Sequence, residues 1–589
     1  MKQNLNYLLF ASGLLLSCIN AEAIDFITQK GQPETATVSW TPVSNVKSYE
    51  ATVQGNGVNT KVDDHLIRQY HDYIRVDVPG LKSGDYTITI KALDASGTTI
   101  DEGTTATLSV VPQNREGFAF FNDVVPGGYN SDGTPKQDAI IIYVSKNSVN
   151  TVTSPVKDKK GKATSYTGLA NILAARSKGY DKTPLIIRVI GTINATDFEG
   201  LKDGNYINFQ GGNNTDRLFE NVTIEGVGSD ATLKGYGICL KRTRGIEIRN
   251  LGIMLFGDDA VSLDTDNSNI WIHNNDFYYG SPGHDSDQKK GDGTIDTKYR
   301  STKITISYNH FFDSGKVMGC GGATGEDASL LMTFHHNWFD HTDSRCPRLH
   351  YTTAHIYNNY YDGVATYGIG NTTESNAFVE QNVFRNVNRP MMISGQGTDK
   401  YDSTTGTYSL KGTFSGQDGG MTKAYDNLFL ENTPKLVYQT ENPTQFDAYL
   451  VTTRSEQLPD TVKSVTGGWA YSNFDTSDSM YVSVPTPVDQ VVDNVKAYSG
   501  RLDGGDLAWQ FDNSVDAKNH DVNTSLKQAI TDYESSLVGI QAEDGITTGI
   551  HNPTVNFIDD TQEYNLSGQR ISSSYHGIVV KKGKKYLRK

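Results

Sequence analysis

The chain has 589 residues, 57 of them glycine and 32 tyrosine, and a formal net charge of −15. This length predicts about two to four domains with a sizeable core, and abundant glycine with few helix-period patterns favours β-structure with many turns. The negative charge argues against nucleic acid as a partner, so an anionic substrate would need a local cationic patch or a bridging metal ion.

The first 23 residues predict a secretory signal peptide. They carry one lysine, an apolar run from Tyr7 to Leu16 and an Ala-x-Ala site at Ala21–Ala23. The run is too short to span a membrane, and we expect no transmembrane segment elsewhere. The protein is therefore expected to be secreted, into the periplasm or the medium. Leu16-Ser17-Cys18 leaves an alternative open, an outer-membrane lipoprotein anchored through Cys18.

Residues 24–112 predict a β-sandwich domain. The stretches "TATVSWTPVSNVKSYEATVQG" and "YIRVDVPGLKSGDYTITIKALDASG" alternate apolar and polar residues, with turn signals between them. Trp40 falls where a sandwich core takes a large apolar side chain. Leu81 followed by Tyr86 resembles the tyrosine corner of fibronectin type III domains. The resemblance implies a domain of that type, which in its simplest role is a spacer.

Residues 113–500 predict a right-handed parallel β-helix. Segments such as "IWIHNNDF", "ITISYNHF" and "AHIYNNYY" share a template of an alternating strand, an asparagine and then aromatic or aliphatic residues. The tightest spacings between these asparagines are 22, 23 and 25 residues, about one solenoid coil. We expect asparagines of successive coils to stack and to satisfy the backbone at each bend. They fall at positions 250, 275, 309, 337, 359, 382 and 427.

The repeat fades after residue 500. Residues 501–545 predict a flanking segment with a short helix in "VNTSLKQAITDYESSLVG", and residues 546–589 predict a small C-terminal β-unit. The last nine residues include six basic ones, which favours a solvated tail. That unit also resembles C-terminal segments that one Gram-negative phylum appends to exported enzymes, which would make it a sorting element.

Several charged residues do not fit the repeat template. Because stacked coils lie about 4.8 Å apart, residues distant in sequence can converge on one face. Each aspartate alone more often caps a turn, but together these carboxylates suit Ca²⁺. On a straight strand Asp292 and Asp296 would be about 13 Å apart, so either the chain bends or only one is a direct ligand. The candidates are Asp258, Asp259, Asp292, Asp296, Lys316, Arg345 and Arg348.

In this order the motifs resemble the polysaccharide lyase family 1 pectate lyases, over roughly residues 115–480. That family carries W-x-D-H, D/E-x-x-x-D, a later lysine, H-H-N, R-x-P-x-x-R and H-x-Y-N-N. The matching positions here are Trp271 to Asn274, Asp292 to Asp296, Lys316, His335-His336-Asn337, Arg345 to His350, and His355 to Asn359. We expect the histidine pair to be packing residues, because adjacent strand residues point to opposite faces.

The resemblance implies Ca²⁺-dependent β-elimination of α-1,4-linked polygalacturonate with 4,5-unsaturated products. It implies Ca²⁺ ligands at Asp259, with Asp258 as a further candidate, and at Asp292 and Asp296. It implies a substrate contact at Lys316, which we also count among the catalytic residues, and a catalytic base at Arg345. His350 stands where the family has its second arginine, so Arg348 and His350 are both candidates for that substrate contact. Trp271-Ile272-His273-Asn274 departs from W-x-D-H at two positions.

Arginine is an unusual base. Its reference pKa is at least about 12.5, so its deprotonation at pH 8 would cost about 6 kcal/mol, at about 1.36 kcal/mol per unit. We therefore expect activity to rise towards alkaline pH.

Other functions stay open on the sequence alone. "GDDAVSL" and Gly283–Asp285 resemble segments of β-helical polygalacturonases, which are hydrolases. A pectin lyase is disfavoured because such enzymes lack the calcium carboxylates. The His350 departure leaves room for a non-catalytic glycan-binding β-helix. We expect a monomer in each case.

Overall fold

The computed structural model describes residues 24–201, 206–213, 216–283, 288–322, 330–402, 405–408, 414–514, 519–546, 577–581 and 584–588. The predicted signal peptide, including Cys18, lies outside the described residues, as does most of the predicted C-terminal unit. Within the described part of the chain, no helix has the length and apolar character needed to cross a membrane.

The N-terminal domain consists of two antiparallel sheets, as the alternating pattern predicts. Trp40, Leu81 and Tyr86 are buried in the core between them. The Tyr86 hydroxyl donates to the Lys82 carbonyl at 2.8 Å, the kind of contact expected of a tyrosine corner. The strands are Phe26–Gln32, Thr35–Trp40, Ser48–Gly55, Val58–Lys61, Ile67–Tyr70, Ile74–Pro79, Gly84–Leu93, Thr99–Thr104 and Leu108–Val110.

A late segment of the chain pairs with a strand of this domain, which the sequence did not predict. Strand Leu537–Ile540, in the segment expected to be a flanking one, pairs antiparallel with Ile67–Tyr70. Buried Arg68 ties the same sheet to the next domain, because it pairs with Asp77 and donates to the Val227 carbonyl at 2.9 Å. The N-terminal domain is therefore joined to the rest of the chain by strand pairing and by buried polar contacts.

Residues 140–450 form a parallel β-helix, which confirms the predicted fold class. One parallel sheet of 18 strands, the long sheet, carries most of the coil walls. Its strands are Ile140–Val144, Leu185–Asn194, Phe219–Lys234, Thr243–Arg249, Gly252–Met254, Ser268–His273, Asp276–Phe277, Thr302–Ser307, His310–Phe312, Leu330–His335, Trp338–Asp340, Thr352–Tyr357, Tyr360–Asp362, Asn376–Glu380, Val383–Arg385, Met421–Tyr425, Leu428–Leu430 and Tyr449–Leu450.

A second parallel sheet of eight strands, the groove sheet, forms another face of the coils. Its inward side chains, such as Leu240, Leu263 and Leu349, are buried in the common core. Among the charged candidates, Asp296 and Arg348 lie on its strands, and the others lie in the loops that connect its strands to the rest of each coil. The strands are Tyr206–Gln210, Gly237–Lys241, Val261–Thr265, Ile295–Thr297, Gly319–Cys320, Arg348–Leu349, Ile369–Asn371 and Met391–Ile393.

The remaining elements are short and lie outside both sheets. The helices are Leu169–Arg176, Val491–Tyr498, Thr524–Asp532 and Gln541–Asp544. The third of these lies where the sequence predicts a short helix. Asn523 caps the third, since its side chain accepts from the Leu526 amide at 3.0 Å. Three hairpins pair Thr153–Lys157 with Ala163–Thr167, Tyr401–Asp402 with Thr407–Tyr408, and Gly577–Lys581 with Lys584–Arg588.

The predicted asparagine ladder is confirmed, with one correction. Each ladder side chain donates to the side-chain oxygen of the next at 2.9 to 3.1 Å. Asn250 is not a member, because it takes the left-handed position before the ladder, with φ 55°. Leu251 stands at the ladder position, where its amide donates to the Asn275 side chain at 3.0 Å. The members are Asn275, Asn309, Asn337, Asn359, Asn382 and Asn427.

Replacing Asn337 by alanine should lower the free energy of unfolding by about 2–4 kcal/mol, because several buried groups lose their partners. The Asn337 amide donates to the Ile306 carbonyl at 2.9 Å, and its oxygen accepts from the Asn309 amide at 3.1 Å. Urea unfolding measures the loss. The exposed Asn59→Ala variant is the control, and equal midpoints for the two variants would contradict a stabilising ladder.

The histidine pair is buried, as expected for packing residues. His335 and His336 are 0% and 2% exposed, and His336 Nε2 lies 3.1 Å from the Thr486 hydroxyl. Burial lowers the pKa of His336 to about 3. The unfolded chain takes up this proton near pH 6.5, so the unfolded state binds more protons between those two values.

The free energy of unfolding should therefore fall as the pH drops through about 6.5 towards 3. Urea midpoints between about pH 7.5 and pH 5 measure this slope. His336→Asn, which copies Asn358 of the next coil, should make the slope shallower. The exposed His71→Asn variant should leave the slope unchanged. An identical slope in the His336 variant would refute this assignment.

Candidate active site

The register of the groove sheet brings the charged candidates onto one face. Asp296 pairs with Ser262, and the next coils place Gly319 beside Asp296 and Arg348 beside Gly319. The Lys316 backbone bridges Gly293 on one side and Ser344 on the other. Residues far apart in sequence thus lie on consecutive coils, as the solenoid spacing predicts.

Three of the four predicted metal ligands form a compact acidic cluster. One carboxylate oxygen from each of Asp258, Asp259 and Asp292 lies within 4.8 Å of the other two. Asp296 is outside this group, and its Oδ1 accepts from the Gly319 amide at 3.0 Å. Of Asp292 and Asp296, only Asp292 belongs to the cluster. The sequence had left open whether the chain bends between these two residues or only one of them is a direct ligand.

The cluster crowds negative charge at a buried position. Asp259 is 1% exposed. Burial raises its pKa to about 7, and the neighbouring Asp296 adds to this shift. The Tyr206 hydroxyl donates to Asp258 at 2.7 Å and accepts from the Asp259 amide at 2.9 Å, which holds the pair in place. A hard cation with oxygen ligands would relieve this crowding, and these carboxylates are the donors that Ca²⁺ prefers.

Lys298 belongs to this cluster, although the sequence analysis did not identify it. Its Nζ lies 3.3 Å from the Asp259 carboxylate. Burial lowers the pKa of Lys298, but the charges of Asp259 and Asp296 outweigh that effect, so the pKa is raised. The available signal was strand alternation, because Lys298 follows Asp296 by two residues and so shares its face.

Cationic residues gather beside the acidic cluster. Lys316, Arg345 and Arg348 line one cavity of about 640 Å³. Lys316 Nζ lies 3.9 Å from Asp292, which connects the cavity to the acidic cluster. Arg345 has φ 61°, the left-handed region that is uncommon for a non-glycine residue and often marks functional sites.

Buried side chains support the cavity. Lys290, 4% exposed, bonds to Asp313 at 2.6 Å and to Asp343 at 2.8 Å. Tyr367 lies beside the two arginines, and burial raises its pKa to about 12 while Arg345 and Arg348 oppose the shift. No motif in the sequence pointed to either residue, because both act through contacts between coils.

His350, one of the two candidates for a substrate contact, is not among the residues that line the cavity. It is 4% exposed, and its Nδ1 lies 3.1 Å from the Thr372 hydroxyl. Burial, with a further effect from Arg348, lowers its pKa to about 4, so the ring is neutral at ordinary pH. A neutral, enclosed imidazole is a poor contact for a uronate carboxylate.

A family model described as pectate lyase matches residues 120–453, which is more than half of the chain. The chain belongs to the pectate lyase family. The resemblance found in the sequence is thus confirmed at the family level, and the match contains all of the candidate site residues. The N-terminal domain lies outside it, so its likeness to fibronectin type III domains stays a prediction.

Known members show how far this similarity extends. A pectate trisaccharide-lyase of Bacillus licheniformis is 32% identical over 235 residues, which is 39% of this chain and 65% of that protein. Pectate lyase A of Emericella nidulans is 34% identical over 184 residues, 30% of this chain and 55% of that protein. The chain thus spans less than two thirds of these relatives. A pectate lyase of Bacillus sp. N165, solved with trigalacturonate, has a TM-score of 0.44 and 23% identity, covering 66% of this chain and 99% of that chain.

Proposed function

We propose that this protein is a secreted pectate lyase that cleaves α-1,4-linked polygalacturonate by β-elimination. The observation that carries the proposal is the junction of an acidic cluster with a cationic cavity on the groove sheet of a pectate lyase family member. Lys316 lies at that junction, 3.9 Å from Asp292 and on the cavity wall. A hydrolase would need only carboxylates there, so the adjoining arginines favour the lyase.

Asp258, Asp259 and Asp292 are the residues that would hold Ca²⁺, with Asp296 close enough to add its negative charge. Their crowded oxygens and the raised pKa of Asp259 fit a cation-binding site. Bound Ca²⁺ would supply positive charge against the uronate carboxylate, which makes the neighbouring C5 proton more acidic.

The residues of the cavity would then carry the reaction. Lys316 would hold the uronate carboxylate and neutralise part of its charge. Arg345, as a free base, would take the C5 proton. The C5–H electron pair would become the C4–C5 double bond as the C4–O bond breaks, and the leaving oxygen would take up a proton. The product is a 4,5-unsaturated uronate, and the cations are positioned where negative charge develops.

The cavity also accounts for binding of a polyanion by a protein of net charge −15. Its lining has five cationic residues against two aspartates, Asp343 and Asp521, so the local charge is opposite in sign to that of the whole chain. The cationic residues are Lys289, Lys290, Lys316, Arg345 and Arg348. Such local fields steer anionic ligands more than the net charge does.

Ultraviolet absorbance of polygalacturonate incubated with the protein tests this function, with Ca²⁺ in one series and a chelator in the other. Unsaturated product only with Ca²⁺ is the expected result. New reducing ends without that absorbance would indicate a hydrolase instead. Binding without cleavage at any pH would indicate a non-catalytic glycan-binding protein.

We further propose that the N-terminal domain is a fibronectin type III-like spacer and that the protein acts as a monomer. The tyrosine-corner contact of Tyr86 supports the first point. Light scattering of the purified chain measures the oligomeric state, and a stable dimer would contradict the proposed monomer.

Secretion is tested by fractionation of cells that express the full chain. Labelling with radioactive lipid distinguishes an anchor on Cys18 from free secretion.

A further inference from the structure

The guanidinium of Arg348 is held by an amide from a distant part of the chain. Arg348 donates through Nη2 to the side-chain oxygen of Gln417, which lies 69 residues later. The Gln417 backbone is fixed on both sides, since its amide donates to the Ser415 hydroxyl at 3.1 Å and its carbonyl accepts from the Ser394 hydroxyl at 2.6 Å. The amide oxygen therefore reaches Arg348 from a well-anchored position.

Hydrogen bonding fixes which end of the Gln417 amide faces Arg348. The Thr372 hydroxyl donates to the Leu349 carbonyl at 2.6 Å, so its proton is used. His350 Nδ1, at 3.1 Å from that hydroxyl, must then donate to it, which leaves Nε2 as an acceptor. The nitrogen of the Gln417 amide lies 3.4 Å from Nε2, a long contact, and donates to it. The amide oxygen is thereby turned towards the arginine.

This arrangement requires a neutral His350. An imidazolium would present two donors, and its Nε2 could no longer accept from Gln417. Burial and the charge of Arg348 hold the pKa of His350 at about 4, so the ring is neutral at ordinary pH. We call the hydrogen bonds that join His350, Gln417 and Arg348 the relay, and a neutral His350 keeps the Gln417 oxygen facing Arg348. His350 thus faces Gln417 and not the cavity.

An amide holds a guanidinium in place without neutralising it. In the part of the chain that the structure describes, no carboxylate lies within ion-pair distance of Arg348, although the charge of Asp296 is near enough to act on its pKa. Burial lowers the pKa of this guanidinium, and nearby Arg345 adds to the effect. An anion arriving in the cavity would therefore find Arg348 oriented, partly desolvated and still available for a bidentate contact.

We propose that Gln417 and His350 are positioning residues that present Arg348 to a uronate carboxylate, so that residue 348 and not residue 350 supplies this substrate contact. The proposal rests on the proposed function. It gives a physical reason for the histidine at position 350. His350 orients the Gln417 amide, and that amide holds Arg348, two residues before the position of the family's second arginine.

Gln417→Glu is the decisive variant, because it keeps the shape of the side chain and places a carboxylate on Arg348. We expect KM for polygalacturonate to rise on the order of tenfold, while kcat changes by less than about threefold, since the internal ion pair competes with substrate. Calorimetry with trigalacturonate should show a matching loss of affinity. Gln54→Glu, an exposed position in the N-terminal domain, is the charge-matched control and should bind like the wild type.

A second pair of variants tests the role of His350. His350→Gln keeps an acceptor for Gln417 and should retain the wild-type KM, whereas His350→Leu removes it and should raise KM severalfold. Thermal melting shows whether each variant is folded. The pair still tests the relay if Gln417→Glu does not fold.

Unchanged KM and affinity in a folded Gln417→Glu variant would overturn the proposal, as would a loss confined to kcat. Equal KM values for His350→Gln and His350→Leu would show that His350 does not position Gln417. Absence of unsaturated product from the wild type would refute the proposed lyase function instead. The calorimetric comparison would then still test the relay on its own.

Discussion

Replacing Arg345 by alanine should lower kcat on polygalacturonate by about two to four orders of magnitude, the usual range for loss of a general base. Affinity for trigalacturonate should change by less than about threefold, because Lys316 and Arg348 line the same cavity and remain. Stopped assays of unsaturated product measure the first quantity and calorimetry measures the second. The split between turnover and binding separates a lyase from a glycan-binding protein.

The same assignment predicts the pH dependence of the wild type. The free-base fraction of an arginine rises about tenfold per pH unit below its pKa, so activity should rise towards alkaline pH. Arg300→Ala is a suitable control, since that exposed arginine pairs with a surface carboxylate, Asp266, at 2.7 Å. An acid optimum, or a kcat for Arg345→Ala within tenfold of the wild type, would remove Arg345 from the role of base.

The coil architecture could be predicted from sequence because it repeats. Each ladder asparagine follows a strand of the same pattern, so one-dimensional spacing carries three-dimensional information. The error at Asn250 shows the limit of that signal. The left-handed residue before the ladder also favours asparagine, as Asn274 and Asn358 show, so the sequence alone leaves the register uncertain by one residue.

The site could be predicted only where its residues sit in motifs. The aspartates, Lys316 and Arg345 stand at family spacings, and the register of the groove sheet brings them together. The surroundings of His350 could not be predicted, because its ring faces Gln417, 67 residues away in the sequence. The pairing of strand Leu537–Ile540 with the N-terminal sheet could not be predicted for the same reason. A short apolar run does not indicate which distant strand it pairs with.

Asp259 should be essential for activity, and yet its ionised carboxylate should lower the stability of the calcium-free protein. Its carboxylate is buried beside Asp258, Asp292 and Asp296, and its raised pKa means that the folded state binds more protons than the unfolded state between about pH 4 and 7. Stability of the calcium-free protein should therefore fall as the pH rises through that range. At about pH 8, Asp259→Asn should melt at the same temperature as the wild type or higher without Ca²⁺.

The same variant should lose the response to Ca²⁺. A ligand that binds only the folded state stabilises it by about 2.7 kcal/mol at a hundred times its Kd, so Ca²⁺ should raise the melting temperature of the wild type. Asp259→Asn should show little or no rise and at least about a hundredfold lower activity, because several kcal/mol of charge stabilisation are lost. Asp264→Asn, five residues later in the chain and paired with Lys241, is the matched control and should keep the calcium response. Calcium-dependent stabilisation that survives in Asp259→Asn would place the cation elsewhere, whereas its loss together with activity would tie the acidic cluster to turnover.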